Sequence, residues 1–127
     1  MDLAFSKDDL AFRDEVRGFI RDNLPPEIKH KVANGLHTTK QDHIAWQKIL
    51  HKKGWMGTNW PVKYGGTGWN ITQRFIFDEE IANGSAPNVI PFGPKMVAPV
   101  IWTFGSEEQK ARFLPRILAT DDMWVQG

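Results

Sequence analysis

Apolar side chains recur at helical spacing along most of this chain. Phe12, Val16, Phe19 and Ile20 fall at i, i+4, i+7 and i+8, one stripe of a helix predicted over residues 6–23. Ser6 is its N-cap, with Asp9 at the capping-box position and Phe5 and Leu10 at the staple positions. Asp8, Asp9, Asp14 and Glu15 place negative charge toward its start, as the helix dipole favours, and Pro25-Pro26 ends it. Glu27 to Val32 allows a short helical turn before Asn34-Gly35. A second helix runs from Thr38 or Thr39 to Lys53, with Trp46, Ile49 and Leu50 inward and Gly54-Trp55 as a Schellman-type stop. Asn70, with Gln73 opposite, caps a third helix that reaches Asn83-Gly84. Its apolar residues Ile71, Phe75, Ile76, Phe77 and Ile81 cover more than one face, so cover on two sides is expected. Met96, Val100 and Phe104 at i, i+4 and i+8 mark a fourth helix that starts near Pro94, bends at Pro99 and stops at Gly105. Ser106 with Gln109 opens a fifth, from Glu107 to about Leu114, and Pro115 begins a separate short helix or bent turn through Leu118. Met123 to Gly127 turns to strand-like composition.

Gly54–Trp69 follows neither period. Its sixteen residues hold three of the six tryptophans, the one tyrosine and five of the eleven glycines. That mixture predicts an ordered, aromatic-pinned loop connecting the second helix to the third. Gly65-Gly66-Thr67-Gly68 lacks the Lys-Ser/Thr of a phosphate loop, and Ile71 stands where G-x-G-x-x-G needs its third glycine. A turn-making role is the better reading.

Composition narrows the function classes. With 127 residues, 41% hydrophobic and 24% charged, the chain is one ordinary globular domain in size. Lys plus Arg is 16 against 15 for Asp plus Glu, a net +1, which argues against a dedicated nucleic-acid binder. There is no cysteine, and no apolar run approaches membrane-spanning length. A signal peptide is not expected, so a cytoplasmic protein is. His30, His37, His43 and His51 lack the i, i+4 spacing of a helical zinc site, so no metal is expected. Asp78-Glu79-Glu80 reads as a polar helix face with an Arg74–Asp78 pair rather than as acid–base machinery, because no second catalytic group stands near it.

The chain resembles the N-terminal helical domain of the acyl-CoA dehydrogenases, flavoenzymes that desaturate acyl-CoA thioesters. The resemblance rests on Phe12-Arg13-Asp14-Glu15-Val16-Arg17-Gly18-Phe19, Gly54-Trp55, Trp60-Pro61-Val62-Lys63-Tyr64-Gly65-Gly66-Thr67-Gly68 and Pro91-Phe92-Gly93. It continues through Phe104-Gly105-Ser106-Glu107-Glu108-Gln109-Lys110-Ala111-Arg112-Phe113-Leu114-Pro115 and Trp124-Val125-Gln126-Gly127. It implies an all-α domain over residues 1–122, an orthogonal or up-down bundle of about five to six helices. Residues 123–127 would then begin the first strand of a middle β-domain. In such enzymes FAD lies between the middle and C-terminal domains, a C-terminal glutamate takes the α-proton, and hydride passes to the flavin. Electrons leave to an electron-transfer acceptor, and the subunits assemble as homo-oligomers through the C-terminal domain. The flavin segment and the glutamate would follow Gly127, so the expectation is no catalytic residue, no flavin and no turnover in this chain alone. The resemblance assigns Asn88, Val89, Phe92 and Met96 to a wall of the acyl pocket. It sets Gln126, with Gly127 beside it, against the flavin ring. The alternative is a stand-alone, non-catalytic interaction module built on the same domain.

Overall fold

The computed structural model describes residues 4–127. Six α-helices are found among them: α1 (Lys7–Asn23), α2 (Pro26–Ala33), α3 (Lys40–Lys53), α4 (Ile71–Asn83), α5 (Ala98–Phe104) and α6 (Glu107–Leu118). A 3-10 turn spans Val62–Tyr64, a π-helical turn spans Phe92–Val97, and no strand occurs among the described residues. Met123 to Gly127 has no regular structure. The chain divides into two compact units. One holds the residues up to Thr39 with Trp69–Asn88, and the other Lys40–Gly68 with Val89–Gly127.

The first unit is built on α1 against α4. Ser6 and Asn70 start these helices with the reciprocal capping boxes expected, closed on Asp9 and Gln73. Each cap spares a helix end unpaired donors, worth about 1 kcal/mol. Val16 and Ile20 are buried on α1, and Ile76, Phe77 and Ile81 on α4. An aromatic row runs Phe12–Trp69–Phe77, with centroids 5.0 and 5.2 Å apart. The expected cover on two sides of α4 does not hold: Ile71 and Phe75 are exposed. Nor do Arg74 and Asp78 pair among the described residues. Glu80 is the α4 carboxylate with a structural role, buried and gripped by both forks of Arg17 at 3.0 and 2.8 Å. The ion pair holds the Arg17 guanidinium above its ordinary pKa, chiefly through the Glu80 hydrogen bonds. At its far end α4 stops in a Schellman motif, with Ser85 at φ 56° as the left-handed residue. Gly84 leaves room for Ile20, whose Cγ2 would lie 2.8 Å from a Cβ there.

In the second unit α3 ends as the sequence predicts. Trp55 N–H bonds Leu50 C=O and Gly54 N–H bonds His51 C=O, with Gly54 at φ 86°. The core gathers Trp60, Ala98, Leu114 and Ile117, with Ile101, Trp102, Phe113 and Trp124 against it. The aromatic loop is closed by the Gly57–Gly66 bridge, and a Cβ on Gly66 would overlap the Trp60 carbonyl. α6 is not broken at Pro115. Leu114 and Ile117 are buried on either side of it, and the carbonyl the proline frees belongs to exposed Ala111. Helix α6 also ends in a Schellman motif, here with Thr120 at φ 58°. A β-branched residue in that conformation is a strained choice. Thr120 is buried, and its hydroxyl accepts a 3.1 Å bond from the buried Gln47 amide of α3. The Gln47 oxygen accepts from Ile90 N–H at 2.9 Å, so one side chain ties α3, the segment before the π turn and the end of α6.

Candidate functional site

The segment leading into α5 closes its hydrogen bonds one residue wider than an α-helix. Met96 N–H reaches back five residues to Pro91 C=O, and Ala98 N–H to Gly93 C=O. In that register the carbonyl of Pro94 needs a donor at residue 99, but Pro99 has none. The Trp60 indole fills the vacancy: Nε1–H donates to Pro94 O at 2.9 Å in a buried site. Trp60 is held in turn by Trp102, edge to face at 5.4 Å. The aromatic loop therefore sets the geometry of the π turn. Pro99 sits in the first turn of α5, where a proline is tolerated, instead of bending the middle of a helix.

Phe92 opens this turn half-buried, and Met96 projects from it 47% exposed. Val100 and Phe104 continue the row at 54% and 83% exposure. The apolar stripe that the sequence marks in this region is thus real but uncovered in this chain. Beside it lies a cleft of about 270 Å³ lined by Val97, Ile101, Phe104, Phe113 and Trp124. Gly93 is buried under Trp124, whose Cδ1 would lie 3.4 Å from a Cβ there, and Phe113 meets the same indole at 5.9 Å. Trp124 so anchors the tail against the turn that carries Phe92 and Met96.

Of the residues singled out from the sequence, Val89, Phe92 and Met96 fall together in the second unit, on one continuous segment. Asn88, exposed, closes the first unit. Gln126 and Gly127 are exposed beyond the Trp124 anchor, and neither lines the clefts at Trp124, at Lys110 or at Arg17. One exposed amide and a terminal glycine are not a flavin cradle, so the residues present do not by themselves fit FAD. No metal-binding group of His, Cys, Asp or Glu is found among the described residues, and no helix is long and apolar enough to cross a membrane. Sequence reasoning missed Trp60 as the brace of this turn and Gln47 as a tie behind it, and gave Val100 and Phe104 no role beyond the helical stripe. The available signal was the five-residue spacing of Pro94 and Pro99.

Charges close the end of α6 near this region. Arg116 forks onto Asp122 at 2.8 and 2.9 Å, and Lys48 bonds Asp121 at 2.9 Å. These hydrogen bonds hold both carboxyls below their ordinary range, through Lys48 first for Asp121 and Arg116 first for Asp122.

Residues 6–121 fit the family described as "Acyl-CoA dehydrogenase, N-terminal domain". The chain belongs to the acyl-CoA dehydrogenases, as their N-terminal domain. It is 35% identical over 123 residues to acyl-CoA dehydrogenase IpdE1 of Mycolicibacterium smegmatis, covering 91% of this chain and 31% of that protein. Among solved structures, the Tcur3481-Tcur3483 steroid ACAD superposes with a TM-score of 0.79 at 29% identity, over 95% of this chain and 31% of the other. The ChsE4-ChsE5 complex of Mycobacterium tuberculosis gives 0.76 at 30% identity, over 95% and 30%. The chain spans just under a third of the length of these relatives.

Proposed function

We propose that this chain supplies one wall of the acyl pocket in a flavin-dependent acyl-CoA dehydrogenase, an oxidoreductase that desaturates the α,β-bond of an acyl-CoA. The observation that carries this reading is the uncovered apolar row Met96, Val100 and Phe104 continuing from Phe92 on a braced π turn. A wall for a hydrocarbon group needs apolar side chains held in fixed positions and no competing charge. Met96 adds an adaptable thioether to it. In the complete enzyme Val89 and Asn88 extend the wall. Residues 123–127 lead into the first strand of the next domain and bring Gln126 and Gly127 to the flavin. In the complete enzyme FAD would supply the hydride acceptor, and an electron-transfer acceptor would take its electrons. Two structural neighbours are named as two-component assemblies, one of them a steroid ACAD, which favours a bulky polycyclic acyl group and a multi-subunit enzyme. Absence of a spanning helix favours a cytoplasmic setting.

The test joins this domain to the rest of its reading frame and follows acyl-CoA-dependent bleaching of the flavin. Met96→Trp is expected to raise KM for bulky acyl-CoA substrates at least tenfold while leaving short ones and the flavin spectrum unchanged, as one misfit in an apolar pocket allows. Equal effects on all acyl lengths would overturn the pocket assignment. The second reading, a non-catalytic interaction module, predicts no flavin in any complete form of the protein.

A further inference from the structure

The second unit carries a cleft of about 310 Å³ lined by Lys63, Tyr64, Glu107, Lys110, Ala111, Leu114 and Pro115. That volume sits at the lower end of small-molecule sites, about 300–1,000 Å³. Its centre is the Tyr64 ring, stacked on Trp102 at 6.5 Å with planes 16° apart. Lys63 Nζ lies 5.0 Å and Lys110 Nζ 5.9 Å from the ring centroid. Tyr64 also packs against the buried cluster of Trp60, Ala98, Leu114 and Ile117. Tyr64 ends the 3-10 turn, and Gly65, at φ 101°, lies so close to Leu118 that a Cβ would come 2.5 Å from its Cδ2. The two cations are therefore aimed at a rigid platform before any ligand arrives.

Lys110 is the unusual member. Its side chain is only 16% exposed, yet its carboxylate partner is Glu107, itself 90% exposed, at 3.0 Å. A long lysine side chain covers its stem and keeps its head near the surface, and an exposed i,i+3 carboxylate is a weak, displaceable partner for that head. Lys63 has no carboxylate partner among the described residues. The floor beside the cations, Ala111, Leu114 and Pro115, is apolar.

We propose that this cleft binds a monocarboxylate carried on an apolar body. The carboxylate takes the place of Glu107 on Lys110 and reaches Lys63 beside the Tyr64 ring, whose hydroxyl can donate to it. The apolar body lies on Ala111, Leu114 and Pro115. Counting Glu107, the cleft carries one net positive charge, which suits a monoanion. A phosphate dianion would face Glu107 and leave the apolar floor unused. The site does not depend on the acyl-pocket reading.

The experiment titrates the 127-residue chain with hexanoate and follows backbone amide shifts by NMR, with hexanol and inorganic phosphate as controls. Hexanoate is expected to give saturable shifts confined to residues 63–65 and 107–115, with the two controls at least tenfold weaker. Lys110→Gln should weaken hexanoate about tenfold, as loss of a charge-assisted bond implies. Glu107→Gln, at an exposed position, should tighten it up to about fivefold by removing the competitor. Unchanged affinity in Glu107→Gln, non-saturating shifts, or equal binding of hexanol or phosphate would each overturn the assignment.

Discussion

Trp60→Phe isolates the brace on the π turn. The benzene ring keeps most of the packing against Trp102, Ala98 and Leu114 but has no N–H to give to Pro94 O. A buried carbonyl left unpaired costs about 1–3 kcal/mol. The smaller ring loses roughly 40 Å² of apolar contact, or about 1 kcal/mol at 25 cal/mol per Å². The sum, about 2–4 kcal/mol, is a large fraction of a stability near 5–15 kcal/mol. The cause can be separated from simple loss of bulk. Pro99→Ala restores an N–H at the position the five-residue register requires, so the Pro94 carbonyl gains a second possible donor. In that background Trp60→Phe should cost about 1–2 kcal/mol less, because the carbonyl no longer stands alone. The assay is urea unfolding followed by helical ellipticity for all four members of the cycle, with unchanged slope as the check on two-state behaviour. Additive effects within about 0.5 kcal/mol would refute the claim that Trp60 serves the carbonyl Pro99 abandons.

The two left-handed non-glycine stops should respond in opposite directions. Ser85→Gly is expected to raise stability by about 0.5–1 kcal/mol, since it relieves the φ 56° strain and breaks no described hydrogen bond. Thr120→Gly relieves the same strain but orphans the buried Gln47 amide, so a net loss of about 1 kcal/mol is expected by chemical denaturation. Gly66→Ala should destabilise by about 3 kcal/mol or more, because its Cβ would meet the Trp60 carbonyl and not a movable side-chain tip. Acid unfolding tests the α6 terminus. Asp121 and Asp122 have folded pKa values below their ordinary 3.8, so their contribution is present above that value and is lost as pH falls through the depressed ones. Asp121→Asn with Asp122→Asn should therefore flatten stability between pH 4 and pH 2, and an unchanged acid limb would contradict it.

Helix ends were the most legible part of the sequence. Ser6, Asn70 and Ser106 cap as their neighbours three residues on predict, and Gly54-Trp55 stops α3 through the expected bonds. These signals are local, so a linear reading captures them. The side that each apolar stripe faces was not legible. Met96, Val100 and Phe104 have helical spacing whether they meet this chain's own core or something else. Gln47 has no role legible in the sequence, because nothing in its neighbours reveals Thr120 and Ile90 converging on it. The π turn was hidden for a related reason: its stability depends on Trp60, distant in sequence, answering a missing donor. Pocket residues came from family resemblance, and spacing alone gave no geometry for them.

The packing of α1 on α4 also sets an order of events for a growing chain. A polypeptide made from its N-terminus delivers Val16, Ile20 and Arg17 long before Phe77, Ile81 and Glu80 exist. Lys40–Gly68, which belongs to the other unit, is synthesised in between. Closing so long a loop adds little to the final free energy but delays the contact that rewards it. Until α4 is released, α1 is an amphipathic helix with a bare apolar stripe and an arginine lacking its carboxylate. Nascent chains stalled before α4 has left the ribosome would present that stripe to chaperones, and those stalled after its release would have hidden it.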